Sequence, residues 1–268
     1  MRIARFAHTG GMSFGAVEGE ADPSAGPASL AGLTVAEIDG HPFGSIRFTG
    51  QRWALADVRL LSPILPSKVV CVGRNYAEHA AEHGAEVPAE PLLFLKPSTA
   101  VIGPRDVIRL PPQSRNVEHE AELAVVIGVT GARRADRATA AQAIFGYTCA
   151  NDVTARDLQR SDGQWTRAKG FDSFCPLGPW IVTGFDPADV EVRCEVNEEV
   201  RQLGRTKDMV FDPATLVSYV SHVMTLLPGD VILTGTPAGV SPLVAGDVVT
   251  VRIAGIGDLS NPVAALEG

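Results

Sequence analysis

The stretch NVEHEAELAVVIG, residues 116–128, places three glutamates at alternate positions, Glu118, Glu120 and Glu122, just before an apolar run. An apolar run of this kind is typical of a buried strand. Side chains alternate along a strand, so the three carboxylates share one face, with successive ones roughly 6.6 Å apart. Two carboxylates at that spacing can bind one divalent cation, which also relieves their mutual repulsion. The alternative is a solvated strand end that the glutamates only keep soluble.

A further acid lies in the semi-apolar stretch CANDVTARDLQ, residues 149–159. Asp152 in this stretch is costly to bury without a partner, although an Asx-turn or a helix N-cap would also account for it. Combined with two of the glutamates, it completes a set of oxygen ligands without cysteine or histidine. Such a set suits Mg²⁺ or Mn²⁺ better than Zn²⁺.

A histidine and a glutamate in GRNYAEHAAEHG, residues 73–84, are candidates for proton transfer. His79 and Glu82 are three positions apart, which makes them neighbours on a helical turn. A carboxylate beside an imidazole orients the ring and raises its basicity, as a general base requires. Two alternatives stay open, because such pairs are common on exposed helices and because His83 or Glu78 could form the pair instead.

The composition disfavours several classes of partner. The chain has 268 residues, 45% of them hydrophobic and 20% charged, which is ordinary for a soluble globular protein. Its formal net charge of -8 and the lack of a Lys/Arg cluster argue against nucleic acid. The N-terminal sequence does not resemble a signal peptide, and no run of roughly 18 apolar residues predicts a membrane span. The four cysteines form no CxxC pair, which favours buried reduced thiols and a cytoplasmic location.

The sequence patterns divide the chain into two parts. Near the N-terminus, RIARFAH and SFGAVEG alternate between apolar and polar residues on either side of HTGG, which predicts a small β unit. The stretch 20–30 is a predicted loop. KVVCVG then predicts a buried strand that belongs to a new segment. We place the boundary near residue 60, which gives a small N-terminal β domain at 1–60 and a second domain at 61–268.

Strand patterns outnumber helical patterns after that boundary. The predicted strands are LAVVIGV, PWIVTG, VEVRCEVN, DVILTG and DVVTVRIAGIG, and the predicted helices are YAEHAAEHG, ATAAQAIFG and PATLVSYVSHVMTLL. Because the two kinds do not alternate regularly, a doubly wound sheet is disfavoured. The predicted fold class is mainly β with some α, a mixed β barrel or roll with a few covering helices.

Six motifs occur in a fixed order between residue 66 and about residue 250: GRNYAEHAAEHG, PLLFLKPSTAVIGP, EHEAELAVVIG, GYTCANDVTARDLQ, WTRAKGFDSFCPLGPWIV and LTGTPAGV. In this order they resemble the fumarylacetoacetate hydrolase family. Residues 1–60 are similar, with less distinctive motifs, to a small N-terminal domain of many bacterial members. The resemblance implies a mixed β-sandwich roll of the fumarylacetoacetate hydrolase C-terminal type and a homodimer.

The resemblance also implies roles for individual residues. It places ligands for Mg²⁺ or Mn²⁺ at Glu120, Glu122 and Asp152 and leaves Glu118 outside the pattern. It implies a catalytic dyad of His79 and Glu82 on a lid that orders with ligand. The other implied site residues are an active-site lysine, two residues that line the pocket and a threonine that holds the substrate carboxylate: Lys169, Arg156, Gln159 and Thr236. The charge of an anionic substrate adds Arg74 or Lys96 as further cationic candidates.

The implied substrate is a small anionic 2-oxo acid or 2-hydroxy-dienoate that binds the metal through its keto oxygen and carboxylate. The metal then stabilises an enolate. Three reactions share that enolate, and the resemblance narrowly favours isomerisation of 2-hydroxyhepta-2,4-diene-1,7-dioate in aromatic catabolism. Oxaloacetate decarboxylation and acylpyruvate hydrolysis follow closely. A non-catalytic 2-oxo acid binding protein is the alternative from another class.

Overall fold

The computed structural model describes residues 1–19, 32–82 and 84–266; the predicted loop at 20–30 and the alternative partner His83 lie outside these ranges. The strands are β1 (Arg2–His8), β2 (Gly11–Glu18), β3 (Thr34–Ile38), β4 (Phe48–Ala54), β5 (Arg59–Leu61), β6 (Val69–Gly73), β7 (Leu92–Lys96), β8 (Val101–Ile102), β9 (Ile108–Leu110), β10 (Val117–Glu118), β11 (Ala121–Ile127), β12 (Ile144–Asn151), β13 (Thr154–Ala155), β14 (Cys175–Val182), β15 (Glu191–Val196), β16 (Glu199–Arg205), β17 (Val231–Leu233), β18 (Val248–Ile253) and β19 (Gly257–Ala265). The α-helices are α1 (Ala77–Glu82), α2 (Arg137–Gln142), α3 (Arg156–Asp162), α4 (Thr166–Lys169) and α5 (Pro213–Val223).

Twelve strands belong to one large sheet. Its path runs β4-β3-β2-β1-β14-β12-β11-β17-β6-β7, with β5 beside β1 and β8 beside β14. The N-terminal strands join this sheet where Arg2 of β1 pairs with Val182 of β14. The N-terminal β unit therefore shares a continuous sheet with the strands that carry the acidic residues.

A second sheet of five strands, in the order β16-β15-β18-β19-β9, packs against the large one. Leu123 and Val125 of β11 belong to the same buried apolar cluster as Val192 of β15 and Val251 of β18. Burial of these facing side chains holds the two sheets together. The structure confirms the predicted fold class, mainly β with the helices at the periphery of two packed sheets.

Helix boundaries differ from the predictions in the middle of the chain. The helix predicted at 138–146 ends at Gln142, and Ile144 already begins β12. Its β-branched and aromatic residues favour the strand, where they can pair with β11. The short helices α3 and α4 have no counterpart among the predicted helices, since neither is long enough to show a periodic apolar pattern.

The four cysteines are free and buried, which confirms the predicted reduced thiols. Burial raises the pKa of the Cys175 thiol to about 12, so this group stays protonated at neutral pH. Within the described residues, none of the helices combines the length and the apolar character that crossing a bilayer requires.

Candidate active site

Two antiparallel strands bring the acidic residues together. β11 and β12 pair in a register that sets Glu122 opposite Ala150. The start of β11 therefore lies beside the end of β12, and the amide of Asp152 donates to the carbonyl of Glu120 at 2.8 Å. Asp152 is not the N-cap of α3, because Ala155 takes that position. Its carboxylate meets the ammonium groups of Lys169 and Lys96 rather than a neighbouring backbone N–H, as an Asx-turn would require. The register of one strand pair thus places the three predicted metal ligands at the same end of two neighbouring strands.

The three carboxylates form a compact buried cluster. Glu120, Glu122 and Asp152 are 4%, 2% and 0% exposed, and each offers an oxygen within 4.8 Å of the others. Gly235 donates its N–H to Glu122 Oε2 at 2.6 Å. A side chain at Gly235 would lie 2.7 Å from Asn75 Cβ, and the φ of +98° there disfavours other residues, so glycine is required for this close approach.

Two buried lysines support the cluster. Lys169 donates from Nζ to Glu120 Oε2 and to Asp152 Oδ2, at 2.8 Å in each case. Lys96 donates to three backbone carbonyls at 2.6, 2.8 and 3.0 Å. Its Nζ also lies 2.7 Å from Asp152 Oδ1, an ion pair without hydrogen-bond geometry. Lys96 is 1% exposed and is not among the residues that line the cavity described below, which argues against the suggestion that it balances substrate charge.

Arg156 connects α3 to the carboxylates. Its guanidinium donates to Glu118 at 2.7 Å, to Glu120 at 2.5 Å and to Gln159 at 2.7 Å, so all three nitrogens are engaged. The residue is only 3% exposed. Glu118, the acid outside the predicted ligand set, therefore orients Arg156 and through it Glu120.

Burial and neighbouring charges shift the pKa values of two carboxyls in opposite directions. Burial alone would raise the pKa of Glu120, but the charges of Lys169 and Arg156 outweigh it and hold that pKa well below the usual range. Burial, and then the like charges of Asp152 and Glu120, raise the pKa of Glu122 well above its usual range. Glu120 is therefore anionic, whereas Glu122 readily holds a proton when no cation is near.

The charge balance of the cluster favours a bound cation. Four buried carboxylates face three buried cations: Glu118, Glu120, Glu122 and Asp152 against Lys96, Arg156 and Lys169. Among the described residues, Glu122 has no ion-pair partner. A carboxylate oxygen that accepts one hydrogen bond keeps a lone pair for a metal. Glu120, Glu122 and Asp152 therefore fit Mg²⁺ or Mn²⁺ as oxygen ligands.

The predicted dyad closes one side of the cavity. His79 Nδ1 lies 3.3 Å from Glu82 Oε2, and the Glu82 carboxylate accepts the N–H of Gly239 at 3.2 and 3.3 Å. Burial lowers the pKa of His79 despite the nearby Glu120, so the imidazole is mainly neutral at pH 7 and can accept a proton. Asn75, fully buried just before α1, fixes this segment by donating to two backbone carbonyls.

A buried polar network holds Thr236. Its hydroxyl donates to the carbonyl of Ala121 at 2.8 Å and accepts from Gln202 Nε2 at 2.7 Å. Gln202 Oε1 is in turn bonded to His119 Nδ1 at 2.9 Å. The only proton of the Thr236 hydroxyl therefore faces a backbone carbonyl. To donate to a substrate carboxylate, as predicted from the sequence, the hydroxyl must give up its hydrogen bond to the Ala121 carbonyl.

All ten residues of the predicted site line one cavity of about 360 Å³: Arg74, His79, Glu82, Glu120, Glu122, Asp152, Arg156, Gln159, Lys169 and Thr236. The structure brings them together, and the role of each stays a prediction. Five further residues complete the wall: Val72, Gly73, Phe94, Arg160 and Trp165. None of these five residues was identified as a site residue from the sequence. A single apolar or aromatic position carries no signal of a site, whereas Arg160 follows Arg156 by four positions and could have been recognised on the same helical face.

Two family models match the chain. The fumarylacetoacetate (FAA) hydrolase C-terminal model matches residues 68–264, and the Rv2993c-like, N-terminal model matches residues 1–63. Protein Rv2993c of Mycobacterium tuberculosis is 55% identical, over 98% of both chains. The crystal structure of 2-hydroxyhepta-2,4-diene-1,7-dioate isomerase from Mycobacterium marinum is 54% identical, with a TM-score of 0.90 over 100% of both chains.

Two less similar proteins have other activities in their names. Oxaloacetate tautomerase fahd2, mitochondrial, of Xenopus laevis is 44% identical over 78% of this chain and 69% of its own. Fumarylpyruvate hydrolase from Pseudomonas aeruginosa, solved in complex with Mn²⁺ and pyruvate, is 34% identical. Its TM-score is 0.71, over 76% of this chain and 91% of that one. The similar proteins therefore share a fold and differ in the reactions for which they are named.

Proposed function

This chain belongs to the fumarylacetoacetate hydrolase family, and on that premise we propose that it is a Mg²⁺- or Mn²⁺-dependent enzyme of small 2-oxo acids and 2-hydroxy-dienoates. The reaction we propose is isomerisation of 2-hydroxyhepta-2,4-diene-1,7-dioate in aromatic catabolism. The observation that carries the proposal is the buried cluster of Glu120, Glu122 and Asp152, which lines one cavity together with His79. The Mycobacterium marinum isomerase supports the reaction, and Mn²⁺ in the Pseudomonas aeruginosa enzyme supports the metal.

The chemistry divides between the cation and the residues of the chain. When bound, a divalent cation polarises the 2-oxo group and stabilises the negative charge that develops on its oxygen. Lys169 and Arg156 keep Glu120 ionised and fixed in orientation. His79, oriented by Glu82, is placed to take the proton of the 2-hydroxyl group and deliver it to C5. The C2=C3 and C4=C5 double bonds then become a 2-oxo group and a C3=C4 double bond, without gain or loss of atoms.

Tautomerisation of oxaloacetate is a second candidate, favoured by the relative from Xenopus laevis. Keto–enol conversion also moves a proton between the 2-oxygen and a carbon, here the carbon directly beside the 2-oxo group, and breaks no C–C bond. Oxaloacetate decarboxylation and acylpyruvate hydrolysis each break a C–C bond. Release of CO₂ or of a second acid therefore distinguishes these two alternatives from both proton-transfer reactions.

A substrate panel tests the proposal. The protein is supplied with Mg²⁺ or Mn²⁺ and offered the heptadienedioate, oxaloacetate, acetylpyruvate and fumarylpyruvate, with absorbance and products followed for each. We expect the highest kcat/KM for the heptadienedioate and loss of turnover with EDTA or in Glu122→Gln. Metal binding without turnover of any of the four would contradict the proposal and favour a 2-oxo acid binding protein.

We also propose a homodimer in the cytoplasm, with a domain boundary near residue 60. The family resemblance supports the dimer, and the four free, buried cysteines support a reducing compartment. Separate family models for residues 1–63 and 68–264 support the boundary. Light scattering during size-exclusion chromatography tests the dimer, for which we expect twice the mass of one chain.

A further inference from the structure

Two arginines on the cavity wall have no charge partner in the part of the chain that the structure describes. Arg74 and Arg160 both line the cavity and are exposed. The other cavity cations, Arg156 and Lys169, are bonded to the buried carboxylates. A substrate anion could recruit either of those only by breaking a buried ion pair, which is costly. Arg74 and Arg160 are the cavity-lining cations that can meet an anion without that cost.

Helix α3 places Arg160 at a distance from the carboxylate cluster. Arg156, Gln159 and Arg160 follow the i, i+3, i+4 spacing and therefore share one face of the helix. Arg156 bonds Glu120 directly. Arg160 lies about one helical turn, roughly 5–6 Å, farther along the axis. The second arginine, Arg74, has a φ of 59°. This backbone conformation is uncommon for residues other than glycine and persists only where the surrounding structure holds it.

A flat apolar wall runs from the cluster towards Arg74. Lys169 Nζ lies 4.8 Å from the centroid of the Phe94 ring. That ring meets Trp165 edge-on, with centroids 5.2 Å apart. Trp165 packs so closely on Gly73 that an added Cβ would lie 2.9 Å from its ring. Successive contacts therefore lead from the carboxylates, past two aromatic rings, to the backbone next to Arg74, whose side chain has no charge partner among the described residues and which lines the same cavity.

We propose that Arg74 and Arg160 form a subsite for a second carboxylate, which makes the enzyme selective for diacids. The 2-oxo or 2-hydroxy-enoic head would lie at the buried carboxylates, and the flat middle of the substrate would lie against Phe94 and Trp165. The inference rests on the proposed function for the position of the head group. It adds that the heptadienedioate and fumarylpyruvate are preferred over acetylpyruvate, which has the same head but only one carboxylate.

Saturated analogues measure this selectivity without turnover. 2-Oxoheptanedioate and 2-oxoheptanoate have the same length and differ only in the second carboxylate, while oxalate occupies the metal end alone. Isothermal titration of the Mn²⁺-loaded protein gives each affinity. The variants are Arg160→Gln, Arg160→Lys and Arg74→Gln, with Arg133→Gln as a matched control, because Arg133 is exposed and does not line the cavity.

We expect wild type to bind the diacid more tightly than the monoacid. A hydrogen-bonded charge pair of this kind corresponds to about tenfold in affinity, so Arg160→Gln and Arg74→Gln should each weaken diacid binding by about that factor. Affinities for 2-oxoheptanoate and oxalate should stay at the wild-type values. Arg160→Lys should retain most of the diacid preference, and Arg133→Gln should retain all of it.

Two results would overturn the inference. One is equal binding of diacid and monoacid by wild type; the other is an equal loss of both in Arg160→Gln, which would indicate a general disturbance of the site. Either result leaves the proposed function standing if oxalate still binds. Failure of the proposed function has a different signature, in which the Mn²⁺-loaded wild type binds none of the three compounds, and the inference then fails with it.

Discussion

Lys96→Met should destabilise the protein strongly, although Lys96 does not line the cavity. The side chain is completely buried beneath Asp152. Its ammonium donates to three backbone carbonyls and lies 2.7 Å from Asp152 Oδ1. Methionine fills a similar volume but has no donor. The carbonyls of Val153 and Lys169 and one Asp152 oxygen lose the partner that the described structure gives them, whereas the Phe174 carbonyl keeps the N–H of Val153 at 3.2 Å.

The magnitude follows from these contacts. Removing one partner of a buried ion pair costs about 3–5 kcal/mol. Each buried carbonyl left without a donor adds about 1–3 kcal/mol, less what relaxation or an entering water restores. We therefore expect the free energy of unfolding to fall by at least about 4 kcal/mol, a large fraction of the roughly 5–15 kcal/mol typical of a folded domain.

Urea unfolding followed by circular dichroism in EDTA measures this loss. Lys207→Met is the matched control, because Lys207 Nζ lies 3.3 Å from Asp189 with side chains that are 54% and 48% exposed. An exposed pair of this kind contributes up to about 1 kcal/mol. If Lys96→Met were no less stable than Lys207→Met, the buried ammonium would not be what holds Asp152 and the surrounding carbonyls in place.

Three further predictions concern single residues of the site. Burial and like charge raise the pKa of Glu122, so wild type without metal should lose stability relative to Glu122→Gln as the pH rises above 4.5, which thermal unfolding across pH tests. For the same reason Mn²⁺ should bind about tenfold more tightly for each added pH unit until the Glu122 carboxyl ionises, which calorimetry across pH tests. His79→Ala should lower turnover about 10²–10⁴-fold and still bind Mn²⁺ and oxalate, whereas loss of the metal would mean that the histidine is structural. Gln202→Leu should lower the unfolding free energy by about 3 kcal/mol, because the Ala121 N–H and the Pro237 carbonyl lose their partners, and a change below about 1 kcal/mol in urea unfolding would contradict this.

The sequence alone indicates the acidic cluster but does not select its members. Alternation along a strand places Glu118, Glu120 and Glu122 on one face. Their equal spacing does not show which two of them would bind a metal. The selection depends on Arg156, which comes from α3 and engages Glu118. Only the resemblance to a known family could separate the three predicted ligands from Glu118, because the contact between Glu118 and Arg156 joins segments distant in sequence.

Lys96 illustrates a role that local pattern cannot reveal. In FLKPST the lysine ends an apolar run, which is equally typical of a solvated strand end. Its burial depends on carbonyls of Val153, Lys169 and Phe174, which only the tertiary fold brings together. Arg160 is different, since helical spacing from Arg156 would have indicated it once α3 was recognised.

Metal binding to wild type and to Glu122→Gln, measured by calorimetry and elemental analysis, tests the central claim most directly. The account predicts one Mn²⁺ per chain in wild type and an affinity at least about 100-fold weaker in Glu122→Gln, since even residues that only support a ligand change metal affinity by about 10–100-fold. Glu118→Gln removes a support of Arg156 rather than a predicted ligand, so it should still bind one Mn²⁺ and lose less affinity than Glu122→Gln. Wild type that binds no divalent cation, or Glu122→Gln that binds Mn²⁺ as tightly as wild type, would contradict the account.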